Sequence, residues 1–191
     1  RFGDGRQAGM AYDPLGRLVR IQDWLGSLTI ERDSLGRPEQ VTDHKGRTLS
    51  YRRGAAGECL GMDRPDGLQV QYAYDDALRL TGITAWERTA DGSEEELLSV
   101  RYAYSPTGER TVKAWGNAGD GETSRESIRQ YDHTGRLCCL IHKNRDEVLE
   151  RYEYAYDVRG NKREIRRYRK DIPGDSGVFA YEYDTLRRLT G

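Results

Sequence analysis

Aspartate recurs along the chain in positions that could supply paired carboxylates for acid–base chemistry. The residues are Asp13, Asp33, Asp75, Asp132, Asp157 and Asp184. Glycoside hydrolysis uses two carboxyl groups that face each other across the scissile bond. Each of these aspartates, however, opens the same Asp-x-x-Gly or closely related segment. A residue that recurs at one place in every repeat is best explained by the repeat, so we predict that each carboxylate caps its own turn.

The chain also holds a small set of metal-ligand residue types, His133, Cys138, Cys139 and His142. Strand alternation would place Cys138 and His142 on one face and Cys139 on the other, which leaves a zinc shell short of ligands. None of the three histidines stands in a recognisable nucleophile setting. We therefore expect no metal, no cofactor and no catalytic residue. The odd number of cysteines gives no disulfide framework.

Tryptophan offers a different chemistry, because an exposed indole ring can stack on a sugar. Trp86 and Trp115, and also Trp24, are candidates for such contacts. A carbohydrate-binding or cell-surface adhesion module is therefore the alternative to a purely structural function. The basic run 162–170 would be divided between two strand faces and is interpreted as a ladder of Arg, Tyr and Glu. With a net charge of −1, the chain lacks the basic surplus of a nucleic-acid binder.

The elements that position these residues follow from an internal repeat. A Tyr-Asp step, or a variant of it, begins at positions 12, 32, 53, 74, 104, 131, 156 and 183, first 20 or 21 residues apart and then 25 to 30 apart. Asp or Ser first and Gly fourth is the chemistry of a type I turn followed by a bulge. The predicted structural residues of these turns are Tyr12, Asp13, Gly16, Asp33, Gly36, Tyr74, Asp75, Tyr104, Gly108, Tyr131, Asp132, Gly135, Tyr156, Asp157, Gly160, Tyr183 and Asp184.

Second turns follow about ten residues later, at 23–26, 43–46 and 63–67. Between the turns, apolar residues alternate, as in Leu68, Val70, Tyr72 and Tyr74, which indicates strands. Residues 94–98 come nearest to a helical pattern and are either a short helical turn or the start of a strand. The predicted fold is all-β: tandem antiparallel hairpins in an elongated, twisted or spiralling strip, thin because only 36% of the residues are hydrophobic.

The later second turns are predicted to lengthen, at 85–96, 115–127 and 171–178. All of them would emerge from the same edge of the strip. Loops grown from one edge of a repeat often bind ligands, although solvated insertions are the simpler interpretation.

The segments YDPLGRL, YDHTGRL, YDVRGNK and YDTLRRL, with DWLGSLTIERD and DGLQVQYAYD, resemble the YD repeat of the RHS family. The resemblance covers residues 10–191. Arg53-Gly54, Leu78 and Arg187 depart from the pattern and suggest degenerate repeats. Members of the family include bacterial polymorphic toxins, wall-associated proteins, toxin-complex components and teneurins. The resemblance implies a strip that in full-length members closes into a shell around a C-terminal toxin domain.

On this basis we expect residues 1–191 to form a single array of about eight repeats, with an irregular edge at 1–10, as a segment of a larger protein. The resemblance implies a non-catalytic scaffold in a secreted or cell-surface protein. Its partners would be the rest of the repeat array, a C-terminal toxin domain and cell-surface glycans. Open terminal strands also predict self-association. No run of residues is long and apolar enough for a membrane span.

Overall fold

The computed structural model describes residues 7–89, 91–116 and 125–190. Fifteen strands form one sheet in which the strand order follows the chain order, and the described pairings are antiparallel. Apart from a 3-10 turn at Pro173–Asp175, every regular element in the described residues is a strand. The predicted all-β architecture of tandem hairpins is therefore confirmed.

The contacts divide the chain into two units, residues 1–97 and residues 98–191. The first unit holds β1 to β8 and the start of β9, and the second holds the rest of β9 to β15. The strands are β1 (Gly9–Tyr12), β2 (Leu18–Asp23), β3 (Gly26–Arg32), β4 (Pro38–Thr42), β5 (Thr48–Arg53), β6 (Cys59–Asp63), β7 (Leu68–Tyr74), β8 (Leu80–Arg88), β9 (Glu94–Tyr104), β10 (Arg110–Gly116), β11 (Arg125–Tyr131), β12 (Leu137–Asn144), β13 (Glu147–Tyr156), β14 (Lys162–Arg169) and β15 (Gly177–Ala180).

Turns after odd-numbered strands lie on one edge of each unit, here called the first-turn edge, and turns after even-numbered strands lie on the second-turn edge. In all eight first turns, the backbone N–H of the fourth residue donates to the carbonyl of the first, as from Gly16 to Asp13 at 2.9 Å. The fourth residue adopts positive φ. Leu78 and Arg187 hold this place at φ 57° and 63°, at a cost of roughly 1 kcal/mol each for a side chain in this region. The degenerate repeats thus keep the architecture.

The sheet of residues 1–97 has one apolar and one polar face. Direct cross-strand neighbours place these apolar residues together: Ile21, Leu28, Ile30, Val41, Leu49, Tyr51, Met62, Val70, Tyr72 and Ile83. The opposite face is mostly polar and carries Arg20, Thr29, Gln40, Thr42, Ser50, Gln71 and Thr84, together with Trp86. Most of the apolar face is half-buried, and Val70 is its best-covered member.

In residues 98–191 both faces are mixed. Val100 and Ser127 are buried on one face, and Ala114 and Cys139 are buried on the other. Among the described residues, no side chain is buried to less than 2% exposure. The core is therefore a thin layer on each side of the sheet, as the low apolar content predicts.

The predicted long loop at 85–96 is wrong. Strand β8 continues through Trp86 to Arg88, β9 begins at Glu94, and Thr89 N–H donates to the Ser93 carbonyl at 2.9 Å across a tight turn. Polar residues here extend both strands of the hairpin. The inter-strand hydrogen bonds use only backbone groups, and the strands need only one half-buried face. The start of a strand is accordingly the right interpretation of residues 94–98.

At the other two predicted loops the flanking strands extend further than expected. Trp115 lies in β10 and residues 125–127 lie in β11, while 117–124 lie outside the described residues. The third connection comprises 170–176, because Gly177 and Val178 already belong to β15. Trp86 and Trp115 are thus strand residues rather than loop residues.

Candidate functional site

The recurring aspartates are saturated with hydrogen bonds inside their own turns. Asp132 shows the pattern: its Oδ1 accepts the backbone N–H groups of Thr134 at 2.9 Å and Arg136 at 3.0 Å. Its Oδ2 accepts Nε of Arg136 at 2.8 Å. The same three bonds recur in the first-turn Asp-Arg pairs 13 and 17, 33 and 37, 75 and 79, and 184 and 188, and also in the second turn formed by Asp43 and Arg47.

These bonds lower the pKa of the aspartates. At Asp43 the side-chain hydrogen bond from Arg47 is the largest cause, and the pKa lies at about 2. At Asp132 the hydroxyl of Thr134 lowers the pKa most, helped by Arg136. The aspartates are therefore charged caps at neutral pH, and none is a proton donor.

Acid should lower the thermal stability of the repeat array, because it protonates the aspartates of these turns. Because the folded pKa lies below the value of 3.8 in an unperturbed aspartate, the stabilisation is complete above pH ~5 and is lost as the pH falls towards ~2. We expect the melting temperature from circular dichroism to stay level from pH ~7 to ~5 and then to fall steadily. Asp43→Asn should flatten this fall, and equal acid slopes in the variant and the parent chain would contradict the assignment.

Three turns depart from the Asp–Arg pair. Asn161 replaces arginine and donates Nδ2 to Asp157 at 2.9 Å. Ser105 and Glu109 invert the pair, so that the Ser105 hydroxyl donates to the Glu109 carboxylate. At Gly54 no first-position side chain exists, and a Cβ there would lie 1.9 Å from Oε1 of Glu58. The Glu58 carboxylate thus lies close to where the aspartate stands in other turns.

In several repeats the residue before the first turn links neighbouring strands. The hydroxyl of Tyr156, the last residue of β13, donates to the Leu137 carbonyl at the start of β12 at 2.7 Å. Equivalent bonds run from Tyr74 to the Cys59 carbonyl at 3.1 Å and from Arg32 Nη2 to the Leu18 carbonyl at 2.8 Å. This position is therefore a cross-strand link, which explains why Arg can replace Tyr.

The arginines of the turns also reach the next repeat. The Arg136 guanidinium lies 4.7 Å from the ring centre of Tyr156, a cation–π contact. Arg17 approaches Gly36 so closely that a Cβ there would lie 1.6 Å from its Nη1. These arginines were not predicted from the sequence, although the five-residue spacing Asp-x-x-Gly-Arg is visible at 13–17, 33–37 and 132–136.

The repeated aspartates do not face one another across a cleft, since each lies in its own turn. The paired-carboxylate geometry of a glycosidase is therefore absent from these residues. The described residues contain no cluster of three or more His, Cys, Asp or Glu that could hold a metal ion. The described residues also contain no helix suited to crossing a membrane.

Ser127, His142 and Glu150 lie side by side on β11, β12 and β13, which are the residue types of a nucleophilic triad. The Ser127 hydroxyl oxygen is buried and has no hydrogen-bond partner among the described groups, and the residue is only 2% exposed. Glu150 is bonded to Arg169 and Tyr152 rather than to His142. The row therefore lacks both the relay and the access that catalysis requires.

The tryptophans occupy different settings. Trp24 is 49% exposed at the second-turn edge, whereas Trp86 is half-buried opposite Gln69. Trp115 is half-buried, and Nζ of Lys113 lies 4.9 Å from its ring centre.

The basic run forms the expected ladder, because its cations pair with carboxylates. Arg166 pairs with Glu164 at 2.8 Å, and Arg169 pairs with Glu150 at 2.9 Å. Lys170 pairs with Glu147, and Arg167 pairs with Asp175. Little charge remains on these residues for a nucleic-acid partner.

Solved structures with the same arrangement of strands are chains of Tc toxin complexes. A chain of TcdB2-TccC3 without its hypervariable C-terminal region aligns over 97% of this chain with a TM-score of 0.72 and 19% identity. A chain of the Photorhabdus luminescens Tc holotoxin pore aligns over 96% with a TM-score of 0.71 and 18% identity. A chain of TcdB2-TccC3-Cdc42 aligns over 96% with a TM-score of 0.72 and 18% identity.

The chain folds as an RHS-type hairpin strip. The fold expected from the YD motifs is therefore confirmed. The chain spans about a tenth of the length of each of these toxin chains, since the alignments cover 10% of them. No protein-family model matches the sequence, and no curated protein matches it significantly.

Proposed function

We propose that the chain is a non-catalytic scaffold segment of a toxin-associated RHS-type protein. The observation that carries this proposal is the internal use of the repeated polar residues. Asp132 and its counterparts bind their own turns, and Tyr156 and its counterparts bind the neighbouring strand. The recurring polar side chains thus stabilise the turns and connect neighbouring strands. A continuous sheet that serves as a wall requires such connections.

The likeness to Tc toxin chains supports the proposal that this strip belongs to a toxin-associated protein. We propose that the strip continues into further repeats, forms part of a shell and encloses or presents a C-terminal toxin domain in a secreted protein. A two-sided sheet suits that role, since it separates two spaces with little thickness. Glycan binding receives no comparable support, because Trp86 and Trp115 are half-buried.

The proposal can be tested in the longer protein that would carry this chain. Electron cryo-microscopy should place residues 7–190 in the wall of a closed shell, and a downstream domain should resist added protease. Deletion of the hairpins β11 to β14 should expose that domain to cleavage. Val158→Ser, at a fully exposed turn tip, is the control and should leave the protection intact. A chain that projects from the particle as a separate arm would contradict the proposal.

A further inference from the structure

A cavity on residues 98–191 takes no part in the repeat network. It lies towards the second-turn edge and has a volume of about 430 Å³, within the usual range for small-molecule sites of roughly 300–1,000 Å³. Its wall includes Trp115, Arg125, His142, Glu150, Arg169 and Asp171. None of these residues belongs to a first turn, so the scaffold function leaves them unexplained.

Strand register brings the wall together. Trp115 of β10 lies directly opposite Arg125 of β11. His142 of β12 is opposite Glu150 of β13, which is opposite Arg169 of β14. The cavity thus extends across five adjacent strands of one unit.

One side of the cavity is already neutralised and fixed. Arg169 donates Nε and Nη2 to Oε1 of Glu150 at 3.0 and 2.9 Å, and Nη1 to Asp175 at 2.8 Å. The Tyr152 hydroxyl donates to the other Glu150 oxygen at 3.2 Å. These residues form a preorganised wall and need no ligand to satisfy them.

Arg125 at the other side is different. It is exposed and forms no ion pair or hydrogen bond within the described parts of the chain. Lys143 is paired with Glu126 at 2.9 Å. Asp171, which follows β14, also lines the cavity, on the side of Arg169. Within the described residues, the Arg125 end of the cavity therefore carries a positive charge without a paired carboxylate.

The cavity also has an apolar surface. Trp115 borders Arg125, and Leu149 and Ile172 complete the apolar part of the lining. A guanidinium fork pairs with a carboxylate through two parallel hydrogen bonds, and an indole ring offers area to a flat apolar group. We propose that this cavity binds a small aromatic carboxylate, with the carboxylate on Arg125 and the ring against Trp115.

Titration calorimetry of the full chain with 2-naphthoate tests the proposal. Saturable binding is expected, and Arg125→Gln should weaken it about tenfold or more, because a charge-assisted hydrogen bond contributes roughly 1.5–3 kcal/mol. The neutral probe 2-naphthamide should bind the parent chain as weakly as naphthoate binds Arg125→Gln. Added salt should reduce naphthoate binding and leave the amide unaffected.

Arg101→Gln is the matched control, since Arg101 is an exposed arginine on the face opposite Trp115. It should leave naphthoate binding unchanged, whereas Trp115→Leu should weaken both probes. Circular dichroism checks that the variants keep their strands, and Arg125→Gln carries the test if Trp115→Leu does not fold. Absence of saturable naphthoate binding, or equal affinities for the parent chain and Arg125→Gln, would overturn the proposal.

Discussion

Replacing Tyr156 with alanine should lower the free energy of unfolding of residues 98–191 by about 2–3 kcal/mol. The change removes a half-buried ring, a cation–π contact with Arg136 and the hydrogen bond to the Leu137 carbonyl. Full removal of a buried aromatic costs roughly 3–5 kcal/mol, and half-burial reduces that figure. Tyr156→Phe keeps the ring and should cost only about 1 kcal/mol for the lost hydrogen bond.

Urea unfolding followed by circular dichroism measures both variants. Tyr168 supplies the matched control, since it is 46% exposed and forms no hydrogen bond within the described residues. Tyr168→Phe should therefore change stability by less than about 0.5 kcal/mol. Hydrogen exchange should show faster opening of β12 and β13 in Tyr156→Ala. Equal losses for the two Tyr→Phe variants would mean that the tyrosine before the turn is not a link between strands.

The turns are the part of this fold that can be predicted directly from the sequence. Asp13 and Gly16 define a turn by themselves, since one supplies the capping carboxylate and the other tolerates positive φ. The degenerate step at Arg53 could be recognised only from its spacing. The side-chain links could have been inferred as well, because Arg17, Arg37 and Arg136 stand at one position of the repeat.

The ends of the strands were harder to predict. Residues 94–96 are three glutamates and have the composition of a loop, but they continue a ladder whose backbone bonds do not depend on side-chain type. Trp115 was assigned to a loop for the same reason, since three of its neighbours at 116–121 are Gly and the others include Asn and Asp. Composition thus marks the polar end of a hairpin without marking where the pairing stops.

The cavity beside Trp115 could not be predicted, because it depends on the register of several strands. A bulge shifts the pairing between His142 and Lys143, so that His142 faces Glu150 while Lys143 faces Val148. One residue of slip would send these side chains to the opposite face. No pattern in the sequence places that bulge, and the residues of the wall are far apart along the chain.

The turn that begins at Gly54 should become more stable when the Asp–Arg pair is restored. Oε2 of Glu58 is buried without a hydrogen-bond partner, and no carboxylate is present at the first position to receive an arginine. Gly54→Asp combined with Glu58→Arg reproduces the arrangement of Asp33 and Arg37. We expect the double variant to gain about 1 kcal/mol, through new bonds and through loss of a flexible glycine from the unfolded chain.

The single changes show whether the pair itself stabilises the turn. Gly54→Asp alone brings a second carboxylate against Glu58 and should destabilise residues 1–97, whereas Glu58→Arg alone gives the arginine no carboxylate to bind. The coupling energy between the two positions should therefore be favourable and about 1 kcal/mol. The same double exchange at Ser105 and Glu109 should gain less, because the Ser105 hydroxyl already bonds the Glu109 carboxylate. Additive effects at Gly54 and Glu58 in urea unfolding would show that the repeat tolerates either turn equally, and that the Asp–Arg pair is not what stabilises the first-turn edge.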